Sequence, residues 1–98
     1  MNDYNGKKCI VRCDRSGVFF GTIAEMEGQR ARISNVRNIW WWEGAASIMQ
    51  LADEGTKKPN ECKFTLTVSE ITVTDVIQVI PCTDKAIANL SAVKPWRM

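Results

Sequence analysis

The sequence predicts a β-rich α+β fold: a small bent antiparallel sheet or partly open barrel of about five to six strands, carrying two helices. Three observations predict it. Short runs of alternating apolar and polar residues recur along the chain and are closed by turn residues. Helical spacing shows in two stretches alone, about 44–54 and about 84–90. The length, 98 residues, supplies one modest core, so residues 1–98 are read as a single domain.

The elements follow in order. Residues 1–6 are polar and read as a flexible lead-in. Lys8 to Cys13 is the first strand, and Asp14-Arg15-Ser16-Gly17 is a turn cluster. Val18 to Met26 is the second strand. Its internal Gly21 marks a bulge or a close backbone approach. Glu27-Gly28 is a hairpin tip. Gln29 to Asn35 returns with Ala31 and Ile33 on one side and Arg30, Arg32 and Ser34 on the other. Val36 to Trp42 continues extended or turns a corner.

A helix of about three turns then covers 44–54, with Ala45, Ile48, Leu51 and Ala52 on one face and Gly55 as its stop. Thr56 to Glu61 is a polar loop. Phe64, Leu66 and Val68 alternate with Lys63, Thr65 and Thr67, the pattern of an amphipathic strand. Ile71 to Ile80 is rich in β-branched residues and reads as one or two central strands ended by Pro81. Asp75 interrupts it, as an edge or turn residue or as a partner for an arginine. Thr83 caps a helix over 84–90, with Ala86, Ile87 and Leu90 inward. Residues 92–98 form a packed or loose tail.

Composition narrows the chemistry. Apolar residues are 45% and charged residues 24%, so wholesale disorder is excluded. There is no histidine, which removes Ser-His-Asp and Cys-His catalysis and any His-based metal site. Cys9, Cys13, Cys62 and Cys82 form no CxxC pair, so no zinc site is expected. Cys9 and Cys13 share a strand face with Cα atoms about 13 Å apart, too far to bridge each other. The start has no apolar h-region, and no apolar run is long enough to span a membrane. The expectation is a cytoplasmic protein with four reduced thiols. Net charge is +2, so any nucleic-acid or nucleotide function rests on a local patch. Lys7, Lys8, Arg12 and Arg15 read as a solvated basic face. No pair of carboxylates has a spacing suited to acid–base catalysis, and no cofactor is expected.

The informative stretch is Trp40-Trp41-Trp42-Glu43-Gly44-Ala45-Ala46-Ser47. Consecutive tryptophans cannot all face one core; in an extended chain Trp40 and Trp42 share a side and Trp41 faces the other. An exposed indole offers a flat apolar face and one N–H donor. The small residues Gly44, Ala45, Ala46 and Ser47 form the first turn of the expected helix without a capping residue before it, leaving backbone N–H groups open to an anion. Arg37 lies just upstream, and Arg30 and Arg32 share a strand face. Together these suit a nucleotide: tryptophan stacks the base, N–H groups and guanidinium meet the phosphates. Glu43 argues the other way, since a carboxylate there fills the cap role and repels an anion. The alternative is that the tryptophans are core or interface and the small residues let the helix pack close. The pattern is not a P-loop, because its Gly-Lys-Ser/Thr ending is absent.

At this motif the chain resembles a family of small uncharacterised bacteriophage proteins. The resemblance is carried by Val18-Phe19-Phe20-Gly21, Arg37-Asn38-Ile39-Trp40-x-Trp42-x-Gly44-Ala45-Ala46-Ser47-x-x-Gln50-Leu51-Ala52, Cys62-Lys63-Phe64, Thr74-Asp75-Val76-Ile77 and Pro81-Cys82-Thr83. It spans roughly residues 6 to 90. It implies a phage product made in the cytoplasm of the bacterial host and carries over no functional residue. In design, not in sequence, the chain is similar to phage anti-defence sponges that sequester nucleotide immune signals.

The leading expectation is therefore a non-enzymatic nucleotide sponge, a homo-oligomer, using Arg37, Trp40, Trp42, Gly44, Ala45, Ala46 and Ser47, with Arg30 and Arg32 from the same or a neighbouring subunit. A module that blocks a host or phage protein through exposed tryptophans is the alternative. A single-stranded nucleic-acid binder ranks third.

Overall fold

The computed structural model describes residues 4–97. It is a β-rich α+β fold: a six-stranded antiparallel open sheet with one helix in mid-chain and one near the C-terminus. The strands are β1 (Lys8–Cys13), β2 (Val18–Glu27), β3 (Arg30–Trp41), β4 (Lys63–Phe64), β5 (Val68–Val73) and β6 (Val76–Pro81). The helices are α1 (Ile48–Glu54) and α2 (Asp84–Ser91), and a 3-10 turn covers Pro59–Glu61. No helix among the described residues is long and apolar enough to cross a membrane.

The sheet runs β4-β3-β2-β1-β6, and β5 pairs with β3 beyond β4's stretch of the same edge. β5 and β6 are thus opposite edges, yet only Thr74 and Asp75 lie between them. Such a short connection requires a strongly curled sheet. Val73 and Val76, one from each edge, accordingly enter one cluster with Cys9, Val11, Ile23 and Ile33. The expectation that Ile71 to Ile80 supplies central strands is corrected: curling buries apolar residues of both edges, so β-branched content does not mark a central position.

Alternation along β1 sends Cys9, Val11 and Cys13 into that cluster and Ile10 to the opposite face. There Ile10, Phe20, Ile39 and Phe64 receive the helices through Leu51, Ala52, Ala86 and Leu90. Burying each large side chain contributes about 1.5–3 kcal/mol.

β3 changes phase at Asn35, which holds φ 47, where its pairing with β2 shifts register between Phe20↔Arg37 and Thr22↔Ser34. This bulge leaves Val36 with Ala31 and Ile33 and turns Arg37 to the helix face, opposite Phe20. Gly21 sits opposite this bulge on β2; a Cβ there would lie 2.7 Å from the Ile33 side chain and 3.0 Å from the Val36 backbone.

The strand expected over Phe64–Val68 is not continuous. Phe64 is fully buried in β4, but Leu66 and Val68 are exposed. The chain bends at Thr65, whose Oγ1 accepts from Asn38 N at 2.8 Å and donates to Leu66 O at 3.2 Å. Asp75 is a turn residue, but its partners are the Arg15 and Ser16 amides and the Ser16 hydroxyl, at 2.7–2.9 Å, rather than a guanidinium.

Thr83 caps α2 by accepting from Ala86 N at 3.1 Å, and its own hydroxyl donates to Asp53 O at the end of α1. Gly55 closes α1 with its N–H on Leu51 O. At the start of the chain, Tyr4 packs on the core and Gly6 N donates to Ile23 O, so 4–6 is not a loose lead-in; residues 1–3 lie outside the described residues. The tail packs: Val93 is buried, Pro95 bridges Phe64, and Trp96 N donates to Phe64 O at 2.7 Å; residue 98 lies outside the described residues.

Candidate functional site

The three tryptophans take three environments. Trp40 and Trp41, the end of β3, are 64% and 53% exposed. Trp42 is half-buried and packs against the helix-side core, with its indole N–H on Ala45 O at 3.3 Å. The expected pairing of Trp40 with Trp42 is therefore corrected. β3 ends at Trp41, so strand alternation no longer governs Trp42, and the core takes that ring instead. Trp40 stacks on Trp96 of the tail, ring centroids 6.2 Å apart and planes 7° from parallel. Lys63 Nζ lies 5.5 Å from the Trp96 ring, a cation–π contact.

The helix start is also corrected. α1 begins at Ile48, and Ser47 is its N-cap, with extended backbone and Oγ accepting from Gln50 N at 3.2 Å. Gln50 Oε1 reaches back to Ala46 N at 2.8 Å. This is a reciprocal Ser-x-x-Gln cap, whose sequence signal is Ser47-Ile48-Met49-Gln50. Of the donors expected to be open, Ala46 N is thus occupied. Gly44 lies in the preceding loop at φ 82; its carbonyl accepts from Lys57 N, and a Cβ would sit 2.5 Å from Lys58 N. The Glu43 carbonyl accepts from the Thr56 hydroxyl. Gly44 therefore lets the loop approach residues 56–58. Ala45 is half-buried against the core, and Ala46 and Ser47 are exposed.

Arg37 is 4% exposed. Its Nε donates to Thr65 O at 3.0 Å, and its Nη1 donates to Leu90 O at 3.2 Å and Val93 O at 2.8 Å. The guanidinium sits 5.2 Å from the Phe64 ring centre, and burial lowers its pKa. The structure places it in a structural hub that ties β3 to the end of α2 and the tail, away from the open grooves beside the tryptophans. Its Nη2 is buried without a protein partner among the described residues.

Arg30 and Arg32 lie at the opposite end of β3, eight residues from Trp40 in the case of Arg32, roughly 25 Å along the strand. Arg32 pairs with Glu70 at 3.0 Å and Glu25 at 3.9 Å, and Arg30 with Glu25 at 3.6 Å. Within one chain they do not join the tryptophans, and carboxylates offset the charge of their face.

Two adjoining grooves share Trp42. One, of about 300 Å³, is lined by Trp40, Trp41, Trp42 and Glu43. The other, of about 410 Å³, has Arg12, Val18 and Gln78 on the sheet side and Ser47, Ile48 and Met49 on the helix side, with Trp42 between. Val18, Arg12 and Gln78 are cross-strand neighbours on β2, β1 and β6. The sequence pattern alone places Arg12 with Lys7, Lys8 and Arg15 on a solvated basic face. Its spacing two residues from Ile10, which puts it on the helix face, is the signal that would have found it.

Burial raises the thiol pKa of Cys9 to about 11 and of Cys13 and Cys82 to about 12. No group of three or more metal-ligating side chains is assembled among the described residues.

A family model described as a domain of unknown function, DUF6948, matches residues 6–90, and the chain belongs to that family. No curated protein and no solved structure matches it.

Proposed function

We propose that this member of the DUF6948 family is a non-enzymatic binding protein that sequesters a nucleotide-type small molecule against its tryptophans. The observation that carries the reading is the pair of grooves sharing Trp42, of about 410 and 300 Å³. Such volumes lie at the lower end of small-molecule sites. A flat indole held in place by its own N–H bond provides a stacking face without further ordering of the side chain. The chain has no histidine for general base catalysis, which favours binding over turnover. A bacteriophage origin, action in the host cytoplasm and an anti-defence role belong to this proposal, as does a homo-oligomer in which a second copy deepens the shallow grooves.

The test is thermal unfolding against linear and cyclic nucleotides, followed by chromatography of each mixture. A ligand at about 100 times its Kd adds about 2.7 kcal/mol, a shift of roughly 10 °C or more for a domain of this size. Recovery of the ligand unchanged supports sequestration; conversion would mean an enzyme.

The exposure of Trp40 and Trp41 favours a second reading, a protein-interaction module in which these rings anchor a partner. No shift with any nucleotide, together with a stoichiometric protein partner lost on Trp41→Ala, would support it.

A further inference from the structure

We infer that the ligand sits in the groove of Arg12, Trp42 and Gln78, that it is a single nucleotide with a free phosphate, and that Arg12 is its phosphate contact. This rests on the nucleotide reading above and assigns it a site and a ligand class.

The two grooves flanking Trp42 differ in charge. The one shared with Trp40 and Trp41 carries the Glu43 carboxylate on its wall, which repels an anion. The other has no acidic lining residue and contains Arg12. Arg12 is exposed and makes no ion pair or side-chain hydrogen bond among the described residues. The three arginines expected at the site, Arg30, Arg32 and Arg37, are engaged: Arg30 and Arg32 by Glu25 and Glu70, Arg37 by main-chain carbonyls. An unpaired guanidinium on a concave wall is suited to a phosphate, which it holds through two parallel N–H bonds.

The remaining walls suit a base. Trp42 presents a ring whose N–H is already bonded to Ala45 O. Gln78 lies beside Arg12 on the neighbouring strand, and its amide has no protein partner among the described residues. It offers one donor and one acceptor edge, the chemistry that reads a base. The Ser47 hydroxyl oxygen accepts from Gln50 N, leaving its hydrogen to donate. Val18 and the exposed Met49 supply apolar cover. A groove of about 410 Å³ holds one nucleotide and not a strand, whose binding sites extend over about four or more nucleotides.

The experiment is equilibrium titration of the full chain with AMP, GMP, CMP and UMP and with the matching nucleosides. Variants are Arg12→Gln and Trp41→Ala, both at exposed positions that leave the core intact. The expected result is that at least one monophosphate binds the parent about ten-fold or more tighter than its nucleoside. Arg12→Gln abolishes that preference, and Trp41→Ala preserves it. An unchanged preference in Arg12→Gln overturns the inference. Binding lost in Trp41→Ala but kept in Arg12→Gln places the ligand in the Glu43 groove, which also overturns it while the nucleotide reading stands. The same holds for a parent that ignores monophosphates but is stabilised by a dinucleotide. A parent that responds to no nucleotide overturns both.

Discussion

Arg37 Nη1 donates to the Val93 carbonyl at 2.8 Å, and the same nitrogen reaches Leu90 O at 3.2 Å. One guanidinium thus holds the last turn of α2, the tail beyond it and, through Nε, the Thr65 carbonyl. An arginine whose sequence position beside the tryptophans suggests a phosphate contact instead organises the C-terminal third of the chain.

Arg37→Leu is therefore expected to destabilise the fold by about 3 kcal/mol, because buried carbonyls lose their donors. Urea unfolding measures it. An unchanged midpoint would mean that the guanidinium is dispensable to the fold.

Gly44→Ala is expected to cost about 2 kcal/mol or more, since φ 82 is strained for alanine and the added Cβ meets the backbone at Lys58. Gly28→Ala, at φ 57 with nothing within 4 Å of the added Cβ, should cost less. Paired thermal melts compare them, and equal losses would contradict the close approach of residues 44 and 58.

The cap of α1 makes a separate prediction. Ser47→Ala removes the acceptor for Gln50 N and should cost about 1 kcal/mol, while Ser47→Asp should keep the stability. Chemical denaturation of the two variants separates a cap from a spacer.

Asp75 should govern acid stability. Bonds from the Ser16 hydroxyl and the Arg15 and Ser16 amides lower its carboxyl pKa from 3.8 to about 2. A lowered folded pKa stabilises the fold above pH 3.8, and that contribution fades as pH falls from 3.8 towards 2. A pH series of melting temperatures should fall through this window, and Asp75→Asn should flatten its share of the fall.

The thiols act at the alkaline end. Cys9, Cys13 and Cys82 rise from 9.0 to between about 11 and 12, chiefly through burial. The unfolded chain loses these protons first, so stability should decline as pH climbs above 9. For the same reason Cys9 and Cys13 should resist a thiol reagent at pH 8 until urea is added; rapid native labelling of either would refute their burial.

Much of the fold was legible locally. The alternation of β1, the hairpin, the Gly55 stop and the Thr83 cap depend on residues within a few positions of one another, and each is present, the hairpin with its turn at Gly28-Gln29, one residue beyond the expected Glu27-Gly28 tip. The Ser47–Gln50 cap was equally local, but the small residues before it suggested an earlier start. The fate of Arg37 was not local. A bulge at Asn35 reverses the alternation, and the carbonyls that receive Arg37 lie 28 to 56 residues away in the chain. Nor could spacing show that Arg12, Trp42 and Gln78 meet, since they come from three separate elements. Residue type and short-range pattern decided which segments became strands and helices. The curl of the sheet decided which arginines face carbonyls, which face carboxylates and which one faces an open groove, because a side chain's partners depend on contacts between segments remote in sequence.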